Sequence, residues 1–401
     1  MFLVETHHVR KSNRHWAEID ELAFQTKILF NKLVFIINEY KHINNTYKTN
    51  KGNIYSRASI YHYIKEYPEF RCGMNTKVLK QTLAQVERCF SGYRKAVIEY
   101  NKNPSKFLGY PKPPAYKPKD GKNLVIFPKE AISFKKDGSI RLSMLNININ
   151  TKIEKENIKE VRLVPGVDHY SIEVVYDRHA KTSSSSLQQK WAGADLGVNN
   201  LIALSSNDPS VKPVLINGRR IKSINQYYNK HINSLSEKRK SGLAYRRAKR
   251  INSLFHEITS FVVKWLISND ITTLVIGKND GWKQRVDIGA ANTQTFKYIP
   301  HIHLINQLIY KCELAGISVL LTEESYTSKC SFIDKETLVH NTSYVGRRCH
   351  RGLFKSGDGI TINADVNGSL NIIRKVAGDL VFDWERVGMY GANPQKHTIG
   401  Y

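Results

Sequence analysis

Residues 191–200, WAGADLGVNN, place a single aspartate inside an otherwise apolar run. Ala194 and Leu196 flank this aspartate, Asp195, in a predicted β-strand, and no cation stands close to it in the sequence. A buried carboxylate is costly unless a partner compensates its charge. Asp195 is therefore a candidate functional residue, and the next question is which other acids share its role.

The sequence around this strand predicts an α/β domain. The apolar runs AGADLGV, LIALS and VKPVLI are separated by short turns and predict a three-stranded antiparallel meander. A long helical stretch, the strand TTLVIG, a helix over Tyr298–Ala315 and the strand SVLLTE follow, which implies parallel pairing through right-handed crossovers. A last helix is expected to begin near Asp365. This is the layout of an RNase H-like sheet.

The first half of the chain has a different pattern. A short strand over 1–10 precedes two amphipathic helices, near 16–40 and 75–100, and short β-like runs occupy about 105–178. We expect these runs and the first strand to form a small β-barrel or sheet that carries the helices as an insertion. The predicted domains are a first strand (1–15), a helical insertion (16–103), a β-barrel (104–181), a linker (182–190), the α/β domain (191–380) and a C-terminal tail (381–401).

The charge of the chain indicates a polyanionic partner. Its 401 residues include 61 Lys and Arg against 35 Asp and Glu, a formal net charge of +26, together with 21 tyrosines. This excess favours nucleic acid as the partner over a merely basic protein. The five scattered cysteines, the lack of a long apolar run and the polar amino terminus predict an intracellular protein with free thiols and no membrane partner.

Asp365 is the second candidate acid. Alone, it also fits an aspartate that interacts with the dipole at a helix N-terminus. Together, Asp195 and Asp365 fit a divalent metal site, because hard cations prefer carboxylate oxygens. Two such ions, about 4 Å apart, would activate a water and stabilise the leaving oxygen of a phosphodiester.

Three segments carry a specific resemblance: GADLGVNNLIAL (193–204), YTSKCS (326–331) and NADVNGSLNIIRK (363–375). They resemble the RuvC-like nuclease segments of the TnpB family, insertion-sequence proteins often described as transposases and related to type V CRISPR effectors. The resemblance implies a noncoding guide RNA, double-stranded target DNA, Mg²⁺ (two ions), and a prokaryotic, nucleoid-associated protein. It also implies an N-terminal wedge β-barrel with a helical recognition insertion. Asp195 and Asp365 match the family's first and last metal-binding aspartates.

The central glutamate of the family is missing. Gly277 occupies its position, at the end of the strand TTLVIG. Some relatives relocate this glutamate, and a parallel neighbouring strand about 4.8 Å away ends in Glu323 and Glu324. These two side chains point to opposite faces if the strand persists, so one of them can serve, and the sequence slightly favours Glu324. Asp280 is a weaker candidate, and two solvated glutamates remain the alternative.

The segment 328–360 resembles a degenerate zinc ribbon. Its potential ligands Cys330, His340, Cys349 and His350 form no CxxC pair, so structural zinc is not expected. Arg347, Arg348, Arg351 and Lys355 are candidates for phosphate contacts instead.

A basic stretch is the remaining functional signal. Between Arg219 and Arg250, eleven Lys and Arg residues face one acid, Glu237, a pattern that fits either a solvated helix face or a nucleic-acid backbone. Tyr227, Tyr228 and Tyr245 are candidates for stacking on bases. The candidate nucleic-acid contacts are Arg219, Arg220, Lys238, Arg239, Lys240, Arg246, Arg247, Lys249 and Arg250.

These features predict an RNA-guided, Mg²⁺-dependent DNA endonuclease. Two alternatives stay open from the sequence: a nuclease-dead RNA-guided DNA-binding repressor, suggested by Gly277, and a DNA transposase that joins strands with the same chemistry. The oligomeric state, the adjacent DNA motif and the cut pattern are not determined by the sequence.

Overall fold

The computed structural model of the chain describes residues 1–43, 57–66, 71–178, 190–279, 290–350, 352–391 and 393–399. The chain divides into two units, Met1–Arg178 and His179–Tyr401. The predicted linker lies outside the described residues except for its last position, Lys190, and so does Asp280. None of the described helices combines the length and the apolarity that crossing a bilayer requires.

The described residues of the first unit form two β-sheets and three α-helices. A four-stranded antiparallel sheet has the order β1-β7-β6-β2, and a three-stranded antiparallel sheet has the order β3-β4-β5. The strands are β1 (Phe2–Arg10), β2 (Val125–Pro128), β3 (Ile132–Phe134), β4 (Ser139–Leu142), β5 (Asn148–Asn150), β6 (Ile158–Pro165) and β7 (His169–Asp177), and the helices are α1 (Trp16–Ile43), α2 (Arg57–Glu66) and α3 (Thr76–Lys102).

The structure does not confirm the predicted wedge barrel, because the described strands of the first unit form open sheets. Among the described residues, β1 and β2 are the two edges of the four-stranded sheet and do not pair with each other. The three short strands β3, β4 and β5 pair among themselves, so they do not bridge those edges. The first strand does join this region, as predicted, because β1 pairs with β7 along its whole length.

The helices of the first unit pack through the apolar stripe that the sequence predicted. On α3, Leu79, Leu83, Val86 and Phe90 are buried, and they share one core with apolar residues of the sheet. Asn75 is the N-cap residue of this helix. Its side chain accepts a hydrogen bond from the backbone N–H of Lys77 and so satisfies a free donor of the first turn.

The second unit is built on one mixed sheet with the order β12-β11-β8-β9-β10-β16. Strands β8, β9 and β10 form the antiparallel meander, and β11 runs parallel to both β8 and β12, as the RNase H-like layout requires. The strands of this sheet are β8 (Trp191–Leu196), β9 (Asn200–Ser206), β10 (Val214–Asn217), β11 (Thr273–Gly277), β12 (Ser318–Thr322) and β16 (Gln395–His397). A separate three-stranded antiparallel sheet consists of β13 (Arg347–His350), β14 (Leu353–Lys355) and β15 (Thr361–Asn363). The helices are α4 (Arg219–Ile232), α5 (Glu237–Ser268), α6 (Ala290–Tyr298), α7 (His301–Ala315) and α8 (Ala364–Ala377).

Helix α8 lies directly against the central strand β8. A side chain at Gly193 would collide with the backbone carbonyl oxygen of Ser369, so glycine permits the close approach. The hydroxyl groups of Ser205 on β9 and Ser369 on α8 form a buried hydrogen bond of 2.7 Å beside this contact. This packing fixes the N-terminus of α8, and with it Asp365, beside the strand that carries Asp195.

The C-terminal segment is more than the tail that the sequence suggested. Phe382 and Tyr390 are buried in one apolar cluster with Phe332. Strand β16 then adds to the sheet, parallel to β10. The segment has few apolar residues in a regular period, and this explains why the sequence alone did not predict its structure.

Candidate active site

Asp195 lies near the end of β8, in the middle of the sheet. Its side chain keeps partial contact with solvent, yet its surroundings are dense enough for desolvation to dominate its charge state. Burial, and after it the negative charge of Asp365, raises the pKa of Asp195 to about 7, although Arg348 and the backbone N–H of Leu196 act in the opposite direction. Asp195 is therefore an acid in a place that needs a compensating cation.

Asp365 stands in the first turn of α8. The side chain of Asn363 caps the helix by accepting hydrogen bonds from the backbone N–H groups of Asp365 and Val366, at 3.0 and 3.2 Å. The carboxylate of Asp365 accepts one hydrogen bond from Asn200, at 2.7 Å, and one from Arg348, at 3.3 Å. Asn200 was not among the predicted site residues, and Arg348 was predicted to contact phosphate.

The two adjacent glutamates go to different places. Strand β12 ends at Thr322, which pairs with Gly277. The side chain of Glu324 lies over Gly277, where an added Cβ would stand 2.5 Å from Cγ and 2.6 Å from Oε1 of Glu324. Glu323 is 58% exposed and forms an ion pair of 3.1 Å with Lys375. The space above Gly277 is therefore filled by the carboxylate of Glu324.

Several hydrogen bonds hold the backbone of Glu324 in this position. The side chain of Asn279 accepts from its N–H at 2.7 Å. The N–H and hydroxyl groups of Thr327 donate to its carbonyl oxygen at 3.1 and 2.8 Å, and Asn371 of α8 donates to the carbonyl of Thr327 at 2.9 Å. Sequence reasoning missed Asn279, and its place at the carboxyl end of a parallel strand was the signal that could have found it.

The buried carboxyl group of Glu324 has no compensating partner among the described residues. Its Oε1 atom is buried and has no hydrogen-bond partner among the described residues. Burial, followed by the charges of Asp195 and Glu323, raises the pKa of Glu324 to about 8. A buried acceptor without a donor is costly in a folded protein, which points to a ligand that the protein itself does not supply.

Asp195, Glu324 and Asp365 are the acids that the sequence predicts as Mg²⁺ ligands. Their donor atoms are all carboxylate oxygens, which hard divalent cations prefer. In the part of the chain that the structure describes, no three His, Cys, Asp or Glu side chains are already gathered closely enough to hold an ion. The hydrogen bonds from Asn200 and Arg348 engage both oxygens of Asp365, one each.

Gly368 gives Asp195 the room that it needs. A Cβ atom at Gly368 would lie 2.7 Å from Oδ2 of Asp195, too close for an ordinary contact. Gly368 comes one turn after Asp365 on α8, so the same helix supplies one acid and clears the space for another.

The predicted ribbon segment is organised around an acid. The buried carboxylate of Glu336 accepts hydrogen bonds from the backbone N–H groups of Ser331 (2.8 Å) and Val345 (3.0 Å) and from the side chain of Asn341 (3.1 Å). Arg374 of α8 donates to the backbone carbonyls of Lys335 and Glu336. These bonds tie the segment to the helix that carries Asp365.

The candidate zinc ligands differ in their burial and in their hydrogen bonds. The thiol of the buried Cys330 donates to the carbonyl of Thr337 at 3.3 Å, while His340 and His350 are exposed. Burial is the main cause that raises the pKa of the Cys330 thiol, which disfavours the thiolate that binds metal.

Replacing Glu336 by glutamine should lower the free energy of unfolding by about 1–3 kcal/mol. The new NH₂ group would face N–H groups that need an acceptor, so at least one of these hydrogen bonds would be lost. Chemical denaturation of the full chain measures this loss. The exposed Asp358 of the same segment provides the control, since Asp358→Asn should change stability by less than about 0.5 kcal/mol. Equal stability of the two variants would contradict a structural role for Glu336.

The basic stretch forms α4 and the first half of α5. Most of its predicted nucleic-acid contacts are exposed, and Lys240 forms an ion pair of 2.7 Å with Glu237. Arg247 differs from the others because it is half-buried and fixed by protein contacts. The exposed members are Arg219, Arg220, Arg239, Arg246, Lys249 and Arg250, and nothing is described of the Lys238 side chain.

Comparison with known proteins bears on the identity of the second unit. A family described as a probable transposase matches residues 169–283, and the Cas12f1-like TNB domain matches residues 301–372. The two matches cover most of the second unit in consecutive segments, including Asp195, Glu324 and Asp365. No curated protein matches the chain.

The solved structures that match the chain have low sequence identity. A cryo-EM structure of a Cas12f1–sgRNA–target DNA complex is 16% identical over 92% of this chain and 98% of that one, with a TM-score of 0.39. The mini RNA-guided endonuclease CRISPR-Cas phi3 is 10% identical over 99% and 94% of the two chains, with a TM-score of 0.45. The assignment to a family therefore rests on the sequence matches and on the motifs within them. The chain belongs to the TnpB-like family of transposon proteins, as its motifs predicted.

Proposed function

We propose that the chain is an RNA-guided DNA endonuclease that hydrolyses phosphodiesters at a metal site formed by Asp195, Glu324 and Asp365. The observation that carries this proposal is the position of Glu324. Its carboxylate fills the space over Gly277, carries a buried oxygen without a donor, and interacts electrostatically with Asp195. A relocated glutamate explains all three features, whereas two solvated glutamates at a strand end explain none of them.

Each acid has a role that follows from its surroundings. Mg²⁺ bound there would supply an activated water and stabilise the leaving oxygen of the phosphodiester. Asp195 contributes a carboxylate from β8, in the centre of the sheet. Glu324 contributes one from just beyond the end of β12, and Asp365 contributes one from the N-terminus of α8. Glu323 has no part in this set, because it is exposed and paired with Lys375.

Arg348 and Asn200 have a positioning role in this proposal. They hold the carboxylate of Asp365 while its charge is otherwise uncompensated. Arg348 is half-exposed on β13, so its guanidinium can exchange the carboxylate for a phosphate group of the substrate. That exchange would free Asp365 to join the other two acids.

The guide RNA and the target DNA are proposed from the family and from the charge. The family-matching segment 169–283 includes the whole basic stretch of α4 and the first half of α5. A positively charged surface of this kind replaces the counterions on a nucleic-acid backbone. Its affinity for nucleic acid should therefore fall steeply as the salt concentration rises.

The test of this function is a cleavage assay with the purified chain, its noncoding RNA and a plasmid that carries the matching sequence. We expect nicked or linear plasmid in the presence of Mg²⁺ and intact plasmid in EDTA. Tight guided binding without any cleavage product would instead favour the DNA-binding repressor, and joined strands formed without RNA would favour the transposase.

A further inference from the structure

A cavity of about 260 Å³ lies between α4 and α5, away from the three acids. Its lining combines an aliphatic wall that includes the buried Leu243 with two aromatic and three cationic side chains. These are Tyr227, Tyr228, Arg246, Arg247 and Arg250. Ligand sites for drug-sized molecules occupy about 300–1,000 Å³, so this cavity suits a smaller ligand.

Among the described residues, the groups that hold Arg247 in place are neutral. Its guanidinium donates to the side-chain oxygen of Asn225 at 2.7 Å and to the backbone carbonyl of Tyr298 at 2.8 Å. The rings of Tyr228 and Tyr298 lie 5.0 and 5.2 Å from it. Burial lowers the pKa of Arg247, while Tyr228 and Tyr298 act in the opposite direction.

No acid compensates the other cations of the cavity. Within the described residues, Arg246, Arg247 and Arg250 form no ion pair with a carboxylate, and Glu237, the only acid between Arg219 and Arg250, pairs with Lys240. Three cations around a small cavity repel one another unless an anion is bound. The cavity therefore selects for an anionic ligand.

The tyrosines restrict the class of that anion. Tyr227 is 54% exposed, and the centroid of its ring lies 4.2 Å from that of the His231 ring. An exposed aromatic ring at a cationic cavity adds little for a bare inorganic anion, but it offers a stacking surface to a planar group. Nucleotides combine a planar base with a phosphate, which is the pairing that aromatic and arginine side chains bind together.

We propose that this cavity binds one unpaired nucleotide of a single-stranded nucleic acid, with the base on Tyr227 and the phosphate on the arginines. The proposal rests on the nucleic-acid partner of the proposed function and names one subsite for it. It differs from a general basic surface because it requires a base as well as a phosphate, and because it requires a free strand.

The test measures binding of the full chain in EDTA, where no cleavage interferes. The probes are a short fluorescent oligo(rU), an oligo(dT) of the same length and an abasic strand with the same number of phosphates. Fluorescence anisotropy measures the affinity of the chain for each probe. Wild type should bind the base-bearing strands more tightly than the abasic strand. Tyr227→Leu should weaken binding of the base-bearing strands about tenfold and leave the abasic strand unchanged, because stacking contributes about 1–3 kcal/mol per base.

Two matched variants control for the ring and for the charge. Tyr227→Phe keeps the ring and should bind like wild type. Arg246→Gln should weaken binding more than Lys249→Gln, because Lys249 is exposed on the same helix and does not line the cavity. Unchanged melting temperatures in all variants show that the losses are local.

The possible results separate this proposal from the proposed function. Equal losses of Tyr227→Leu on base-bearing and abasic strands, or no preference of wild type for bases, would overturn the nucleotide subsite even if the guided protein cleaves DNA. The expected losses in a protein that never cleaves would support the subsite and count against the nuclease. A difference between the oligo(rU) and oligo(dT) affinities assigns the subsite to the guide or to a DNA strand.

Discussion

Glu324→Gln should abolish guided DNA cleavage, while Glu323→Gln should leave it close to the wild-type rate. Loss of a group that only orients a metal ligand commonly costs about 10–100-fold, so loss of a ligand should exceed a hundredfold. The two variants are matched in chemistry and adjacent in sequence. They differ in that Glu324 lies over Gly277, whereas Glu323 is exposed and paired with Lys375.

The stability of Glu324→Gln distinguishes a functional acid from a structural one. Its buried Oε1 has no partner among the described residues, and the negative charge of Asp195 opposes its own. Replacing this destabilised carboxyl group by an amide, which cannot ionise, should therefore leave the metal-free protein as stable as wild type, or more stable by about 0.5–2 kcal/mol. Thermal denaturation in EDTA measures this effect. A variant that loses stability together with activity, or a Glu323→Gln variant that is equally inactive, would contradict the assignment.

Gly277→Ala should reduce cleavage by at least about tenfold, because its Cβ would stand 2.5 Å from Cγ of Glu324 and 2.8 Å from Ile372. The Glu324 side chain is the more mobile of these neighbours, so it should move and carry its carboxylate away from Asp195. Crowding of this kind should also cost about 1–3 kcal/mol of stability. Guided cleavage and thermal denaturation of the same preparation measure the two effects.

A glycine in open space provides the control for Gly277→Ala. Gly92 lies on α3 with nothing near its Cβ position, so Gly92→Ala should keep full activity. A combined Gly277→Glu and Glu324→Ala variant tests the relocation directly. It should recover part of the cleavage that Glu324→Ala loses, because its new carboxylate starts from the strand end beside the vacated space. Recovery of no activity in a folded double variant would show that the two positions are not equivalent.

Much of the second unit was predictable because its signals are local. The apolar runs and short turns gave the meander, and the alternation of strands and helices gave the parallel strands β11 and β12. Asp195 was identifiable because a carboxylate inside an apolar strand has few structural explanations. The segment over residues 381–399 was not predicted, because its contacts are made with distant residues such as Phe332 and with strand β10.

The candidate site shows the same division at the level of single residues. The sequence narrowed the replacement for the central glutamate to two neighbours, because a parallel strand must end near Gly277. It did not choose between them, since alternation along a strand holds only while the strand persists, and β12 ends at Thr322, before both. Asn200 and Asn279 were missed because an asparagine at the end of a strand has many possible roles.

The sequence by itself determined the family and the meander and parallel strands of the second unit, and it predicted the two outer aspartates as metal ligands, since these depend on residue types at fixed local spacings. Only the tertiary structure decided that Glu324 rather than Glu323 lies over Gly277, that Arg348 reaches Asp365, and that two tyrosines and three arginines share a cavity. The physical reason is that these contacts join side chains from different elements. Their distances follow from how the elements pack, and no local pattern encodes that packing.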